Sequence, residues 1–229
     1  MKPKSIFLIR HGESAGNVDK SVYKTVPDWQ VPLTERGIQQ ALEAGKELYN
    51  LFDVENYYRN SPASGSSACR KLFQLYSSPW YRSRQTADNI KIGMGFIHEE
   101  VKEDPRIREQ EWGNFQETHL QEKIKSERRR YGSFFYRMPH GESGADVFDR
   151  VTTFIDTLHR DFEKETFPTN LVICTHGLTI KLFLMRWFHW KVEEFERYDT
   201  PDNCAIFQMD LQKDNRYMLM TNFKIYPDT

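Results

Sequence analysis

The sequence predicts an α/β domain with a mostly parallel sheet. Short apolar runs alternate along the chain with longer segments of helical period, and two of the runs, "FLIRHG" and "LVICTHG", pass through His-Gly into a helical segment. Taken in order, "SIFLIR" reads as the first strand. Thr34 suits the N-cap of a helix whose apolar face is marked by Ile38, Leu42, Gly45 and Leu48 and which extends towards Phe52. The small polar residues of "SPASGSSAC", from Ser61, read as a surface loop leading into a strand at "LFQLYS". A helix is expected from Trp80 to about Ile92, and a charged one between Glu117 and Arg130. "GESGADVFDRVTTFIDTL" begins another, with Ser143 and Asp146 spaced as a capping box. Strand "LVICTH", helix "GLTIKLFLMRWF" and two strands near "NCAIFQMDL" and "YMLMTNFKIY" close the series. No internal repeat or linker divides residues 1–229, so a single domain is expected.

Composition narrows the function. The 229 residues include 16 Phe, enough with the aliphatic side chains to bury a full core. With 32 basic against 33 acidic residues there is no global field to hold nucleic acid or an anionic membrane, so any anion site must be local. Cys69, Cys174 and Cys204 contain no CxxC pair; neither a disulfide framework nor a zinc site is indicated, and a reducing cytosol fits. The opening lysines precede an apolar run that Arg10 stops too early for a signal peptide, and no stretch reaches transmembrane length. A soluble, cytoplasmic protein is expected, and nothing sets its oligomeric state.

The two His-Gly junctions aim His11 and His176 at one region. In parallel α/β sheets ligands collect at the carboxyl ends of strands, beside helix N-termini whose free N–H groups favour anions. Gly12 and Gly177 would let backbone come close to a ligand there. Either histidine alone could equally be a turn or cap residue; the pair is what points to a site. Arg10 adds a planar guanidinium suited to phosphate oxygens. Arg82 and Arg84 sit two residues apart on one helix, so only one of them should face the same place. Glu109, in "DPRIREQEWGNF", supplies a carboxyl, although a lone glutamate is most often a surface residue.

The run Leu8-Ile9-Arg10-His11-Gly12-Glu13, with Asn17 beyond it, resembles the signature of the histidine phosphatase superfamily, the phosphoglycerate mutase-like proteins. "LTERGIQQA", "SSPWYRSRQTA", "PRIREQEWG" and "VICTHG" are similar to that family's later blocks in the same order, so the likeness covers nearly the whole chain. It implies a three-layer α/β/α sandwich. It also implies that His11 accepts the phosphoryl group, that Arg10, Arg82 and His176 grip it with help from Asn17 and Gly177, and that Glu109 donates the proton.

Those residue types suit the chemistry. A neutral imidazole can attack phosphorus when its other nitrogen carries the proton. The arginines and His176 would meet the charge on the equatorial oxygens, so that no metal and no cofactor is required. Glu109 must be protonated to serve the leaving alkoxide, which asks for burial or a neighbouring carboxylate such as Glu111. Glu13 and Ser14 suit helix caps. "GMG" at Gly93 lacks the context of a dinucleotide loop, and His98 and Cys174 lack zinc-ligand spacing. The run Arg128 to Arg130 is either a solvated helix face or a contact for distal anions, and the aromatics near Phe134 are either core or a lid.

Three functions remain: phosphatase, mutase or binding module. Known mutases carry Trp-Asn in place of Gly16-Asn17 and Glu-Arg-His-Tyr-Gly in place of Glu109-Gln110-Glu111-Trp112-Gly113. The second change removes two basic residues and adds an acid, which disfavours a substrate bearing both carboxylate and phosphate. "NVDKSVYKTVPDWQVPLTERG" and "FFYRMPHGESGADVFDRV" look like a fungal and plant group of mutase-like phosphatases of broad specificity. The expectation is therefore a metal-independent phosphomonoesterase acting on small phosphorylated metabolites.

Overall fold

Strand β1 (Ser5–Arg10) is the expected "SIFLIR", and its side chains divide between two cores. Ile6 and Leu8 join the apolar cluster on one face of the sheet, Phe7 and Ile9 the cluster on the other. Burial on both faces is what a central parallel strand requires. The computed structural model describes residues 2–52, 54, 71–113 and 118–226; Cys69 and the loop expected from Ser61 lie outside the described residues.

After the single turn α1 (Ala15–Val18), helix α2 (Glu35–Leu51) begins at Thr34, whose hydroxyl accepts from the Gly37 N–H at 3.0 Å. Its buried stripe is Gly37, Ala41, Ala44, Gly45 and Leu48, rotated from the expected face: Ile38 and Leu42 are only half-buried. The neighbour explains the shift. Beyond strand β2 (Phe73–Ser77), helix α3 (Tyr81–Met94) packs so close that a Cβ on Gly45 would lie 2.9 Å from the Gly93 Cα and run into the Ile90 carbonyl. Small residues, not large apolar ones, make that contact.

Strand β3 (Val101–Glu103), helix α4 (Thr118–Tyr131), helix α5 (Gly144–Phe162) and strand β4 (Asn170–Thr175) follow. The capping box between Ser143 and Asp146 is formed. Helix α6 (Gly177–Phe188), the short helix α7 (Val192–Arg197) and strands β5 (Ile206–Leu211) and β6 (Tyr217–Leu219) complete the described elements. β3 and α7 have no counterpart among the expected elements, because three and six residues are too few to show a period.

The sheet has six strands in the order β3-β2-β4-β1-β5-β6. β3, β2, β4 and β1 are parallel, and β5 runs antiparallel to β1 and to β6. Helices α2 and α3 supply Ala44, Leu48, Ala87 and Ile90 to one core, while α5 and α6 supply Val151, Phe154, Ile180 and Phe183 to the other. The result is the three-layer α/β/α sandwich. Phe134 belongs to the second core, with its ring centroid 5.8 Å from Phe148 and from Phe195, rather than to a lid. No helix among the described residues is long and apolar enough to cross a membrane.

Candidate active site

β1 feeds α2 on one face of the sheet, and its neighbour β4 feeds α6 on the other. The crevice at their carboxyl ends is therefore a topological switch point, where such sheets bind ligands. A cavity of about 700 Å³ opens there, and Arg10, His11, Asn17, Arg82 and Glu109 all line it. His176 lies directly behind that wall, fully buried, with its ring centroid 5.1 Å from that of His11. Arg84 points away and pairs with Glu103 at the surface, so one arginine of the two faces the site, as helical spacing requires.

The protonation state of His11 follows from its partners. Nδ1 lies 2.8 Å from the carbonyl oxygen of Gly12, which can only accept, so Nδ1 carries the proton. Nε2 then holds a lone pair, and the Arg82 Nε–H donates to it at 3.3 Å. Burial first, then the charges of Arg82 and Arg10, hold this imidazole well below the usual histidine range. His11 is a neutral base whose lone pair accepts from Arg82 and feels the charge of Arg10.

His176 is oriented by Ser78 and Trp80. The Ser78 hydroxyl accepts from the Trp80 N–H at 3.3 Å and lies 2.8 Å from His176 Nε2, so its own proton is free to point at that nitrogen. This assignment leaves the proton of His176 on Nδ1, a buried atom with no hydrogen-bond partner among the described residues, 3.6 Å from Glu109 Oε2. Burial, then Arg82 and His11, keep His176 neutral, so it offers an N–H rather than a full charge.

Arg10 donates from Nη1 to the Pro201 carbonyl at 2.6 Å, and its Nε, like His176 Nδ1, is buried without a hydrogen-bond partner among the described residues. A phosphoryl group is an acceptor that could satisfy both orphans. Asn17 accepts through Oδ1 from the Ser14 N–H at 3.0 Å and from Asn203 at 3.2 Å, which leaves its amide nitrogen without a hydrogen-bond partner among the described residues. The two glycines serve packing of protein against protein. A Cβ on Gly12 would collide with the Gly37 carbonyl, and one on Gly177 would come within 2.5 Å of Thr200 Cγ2, beside Arg10; Gly177 does not line the cavity.

Glu109 is fixed by a clamp that the sequence did not announce. Arg150 donates to the carbonyls of Arg106, Arg108 and Glu109 at 2.7, 2.9 and 3.1 Å, and also to both carboxylate oxygens of Glu142. The carboxyl of Glu109 accepts from the Gln110 N–H at 3.0 Å through Oε1. Burial pushes it above the usual carboxylate range; Arg82 opposes this, and the carboxylate that assists is Asp28. Glu111, the neighbour expected to do so, instead pairs with Arg108 at 3.3 Å. The arginine run divides: Arg128 is half-buried, reaching Gln110 at 3.1 Å and lying over the Trp112 ring, while Arg129 and Arg130 are exposed. Ser14 is the N-cap of α1, while Glu13 accepts from the Thr34 hydroxyl at 2.9 Å, a side-chain contact rather than a cap on backbone N–H groups.

His11, Glu109 and His176 bring donor atoms within 4.8 Å of one another, a spacing a transition metal could share. Arg82 donates to the very lone pair that such an ion would need. The fixed positive charge around the trio suits an anion better than a cation.

A family model described as "Histidine phosphatase superfamily (branch 1)" matches residues 6–224. The chain belongs to the histidine phosphatase superfamily. Among curated proteins this histidine phosphatase is 42% identical to the phosphoglycerate mutase-like protein AT74H of Arabidopsis thaliana, over 95% of the chain and 77% of that relative. It is 31% identical to the broad-range acid phosphatase DET1 of Saccharomyces cerevisiae, over 96% of the chain and 89% of that protein. A structure of a mycobacterial glucosyl-3-phosphoglycerate phosphatase in complex with VO3 superposes with a TM-score of 0.66 at 23% identity, covering 95% of this chain and 98% of that one. A phosphoglycerate mutase from Bacillus anthracis gives a TM-score of 0.68 at 15% identity, over 95% and 92% of the two chains. These structural likenesses establish a shared fold for the histidine phosphatase. Its Asp28, Ser78, Trp80 and Arg150 went unassigned from sequence, although all four lie in blocks that carried the resemblance, while Asn203 had no signal at all.

Proposed function

We propose that the chain is a metal-independent phosphomonoesterase acting through a phosphohistidine at His11 on a range of small phosphorylated substrates. The observation that carries this is the neutral His11, whose Nε2 lone pair sits beside a cavity-lining guanidinium, with the half-buried carboxyl of Glu109 in the same cavity wall. In the first step Nε2 forms a bond to phosphorus as the ester P–O bond breaks, and Glu109 gives its proton to the leaving alkoxide. Oε1 is occupied by the Gln110 N–H, so Oε2 is the oxygen that carries that proton. In the second step the Glu109 carboxylate takes a proton from water, which attacks phosphorus and releases His11. Arg10, Arg82 and the His176 Nδ1–H meet the equatorial oxygens throughout.

Breadth of specificity is supported by the cavity, whose outer wall mixes Tyr23, Trp29 and Trp112 with Lys20 and His140 and so offers no single matched partner for the ester group. The name of the yeast relative points the same way. A cytoplasmic setting remains the reading that the cysteine content favours.

The test is a panel of phosphoesters, including phosphoglycerates, incubated with the protein in EDTA and assayed for free phosphate and for isomerised product. Phosphate release supports the phosphatase. Isomerisation without release would replace it with a mutase, and neither product would leave a binding module.

A further inference from the structure

Arg82 is held from one side by a single residue. Its Nη1 donates to the main-chain oxygen of Asp28 at 2.7 Å and to the Oδ1 of the same residue at 2.8 Å, while Nε donates to His11. The guanidinium also lies over Trp80, 4.7 Å from the ring centroid. Its Nη2 protons have no partner among the described residues. Asp28 opens the tight turn Asp28–Gln30, which is fixed by Gln30 N–H to Pro27 O at 2.8 Å and by Leu33 N–H to Gln85 on α3 at 2.8 Å. The pair is not a chance surface encounter: the Arg82 side chain is 4% exposed and that of Asp28 33%.

This arrangement has opposite effects on geometry and on charge. Holding Nη1 leaves Nη2 for a phosphoryl oxygen, and the Nε–H that now donates to His11 can join it in the fork geometry that two oxygens fit once the His11 lone pair engages phosphorus. Yet Asp28 also lines the cavity, and its carboxylate offsets one of the two arginines that meet a dianion there. Burial raises the Asp28 carboxyl from its usual range; the charge of Arg82, paired with it at 2.8 Å, is the largest influence that opposes this, and Lys20 adds to it.

We propose that Asp28 is a positioning residue that aims Arg82 at the phosphoryl group and, by its negative charge, keeps the site's hold on free phosphate weak enough for release. This rests on the phosphomonoesterase reading and adds to it the residue that separates catalysis from product affinity. Asp28→Asn keeps an oxygen that can accept from Nη1 and removes the charge. Asp28→Ala removes both.

The experiment is calorimetric titration of each protein with inorganic phosphate at pH 7.5, together with kcat and KM for one alkyl phosphate. A unit charge a few ångströms from a dianion, at an effective dielectric of about 20, changes binding by about tenfold or more. Asp28→Asn is expected to bind phosphate tighter by that factor, with KM lowered alongside. Asp28→Ala is expected to lose kcat by about tenfold or more, because a misaimed guanidinium forfeits transition-state contact. Asn binding phosphate no tighter than the parent, or Ala retaining the parent's kcat, overturns the proposal; Asp28→Ser repeats the charge test if Asn does not fold. A parent that neither binds phosphate nor hydrolyses any ester sinks the phosphomonoesterase reading and this inference with it. A parent that does both beside an unchanged Asn variant sinks this inference alone.

Discussion

Replacing Glu109 by Gln isolates the proton from everything else the side chain does. The amide fills the same space in the wall, and its oxygen can still accept from the Gln110 N–H that now binds Oε1 at 3.0 Å. The Arg150 clamp acts on main-chain carbonyls and is untouched. What disappears is an acid whose proton is retained to higher pH than usual because burial raises its pKa. A positioned proton donor contributes about 100- to 10,000-fold, so an alkyl phosphate should react slower by that factor, or about 2.7 to 5.4 kcal/mol of barrier. Nitrophenyl phosphate has a leaving group that needs little protonation, and its first step should be slowed far less. The wild-type rate for the alkyl ester should fall as pH rises through the raised Glu109 pKa; the opposite limb, set by protonation of His11, lies at low pH because that imidazole is held well below its usual range. Glu109→Gln should lose the upper limb. Single-turnover mixing with both esters across pH is the assay. Equal losses for the two, or an upper limb that survives in the variant, would remove Glu109 from the role.

On the proposed mechanism EDTA should leave phosphate release intact, because Arg10 and Arg82 supply the counter-charge and His176 a neutral N–H donor; activity lost to chelation and restored by a divalent ion would contradict that account. Acid-labile, base-stable phosphate should be trapped on His11 by rapid quenching during turnover, and His11→Ala should abolish turnover while still binding vanadate weakly. Label found on His176 would exchange the roles of the two histidines. Gly93→Ala should destabilise the protein by about 1–3 kcal/mol, since its Cβ would run into the Leu42 carbonyl across the contact between α2 and α3. The melting temperature should fall by about 2–4 °C for each kcal/mol, and an unchanged value would show that the helices can part freely.

The sequence was most legible where a local rule and a tertiary demand agree. β1 matched its apolar run residue for residue, Thr34 capped as its type requires, and the capping box at Ser143 formed. Reading failed where packing overrode pattern. The stripe on α2 was marked from Ile38 and Leu42, yet the close neighbour α3 selects glycine and alanine instead. At the site, Arg10, His11, Arg82, Glu109 and His176 were named because each lies in a block with a recognisable order, and the structure brings them together around one cavity. Those that hold them were not, since Asp28, Arg150 and Ser78 act through pairings that join segments far apart in the chain. The same reason misplaced the carboxylate near Glu109: adjacency in sequence favoured Glu111, but the chain turns that side chain towards Arg108.

β1 and β4 lie side by side, Arg10 opposite Thr175, although most of the chain separates them. The two histidines therefore come together only after a very long loop has closed, a slow event because closure entropy is spent before the contacts reward it. A ribosome-bound chain with β1 already emerged would carry His11 and Arg10 but no anion site until β4 followed. On the proposed reading phosphate binds only the completed sheet and should raise the resistance of the whole protein to unfolding by mass action. Its binding thus reports on how many molecules have finished folding, independently of how many of them turn over substrate.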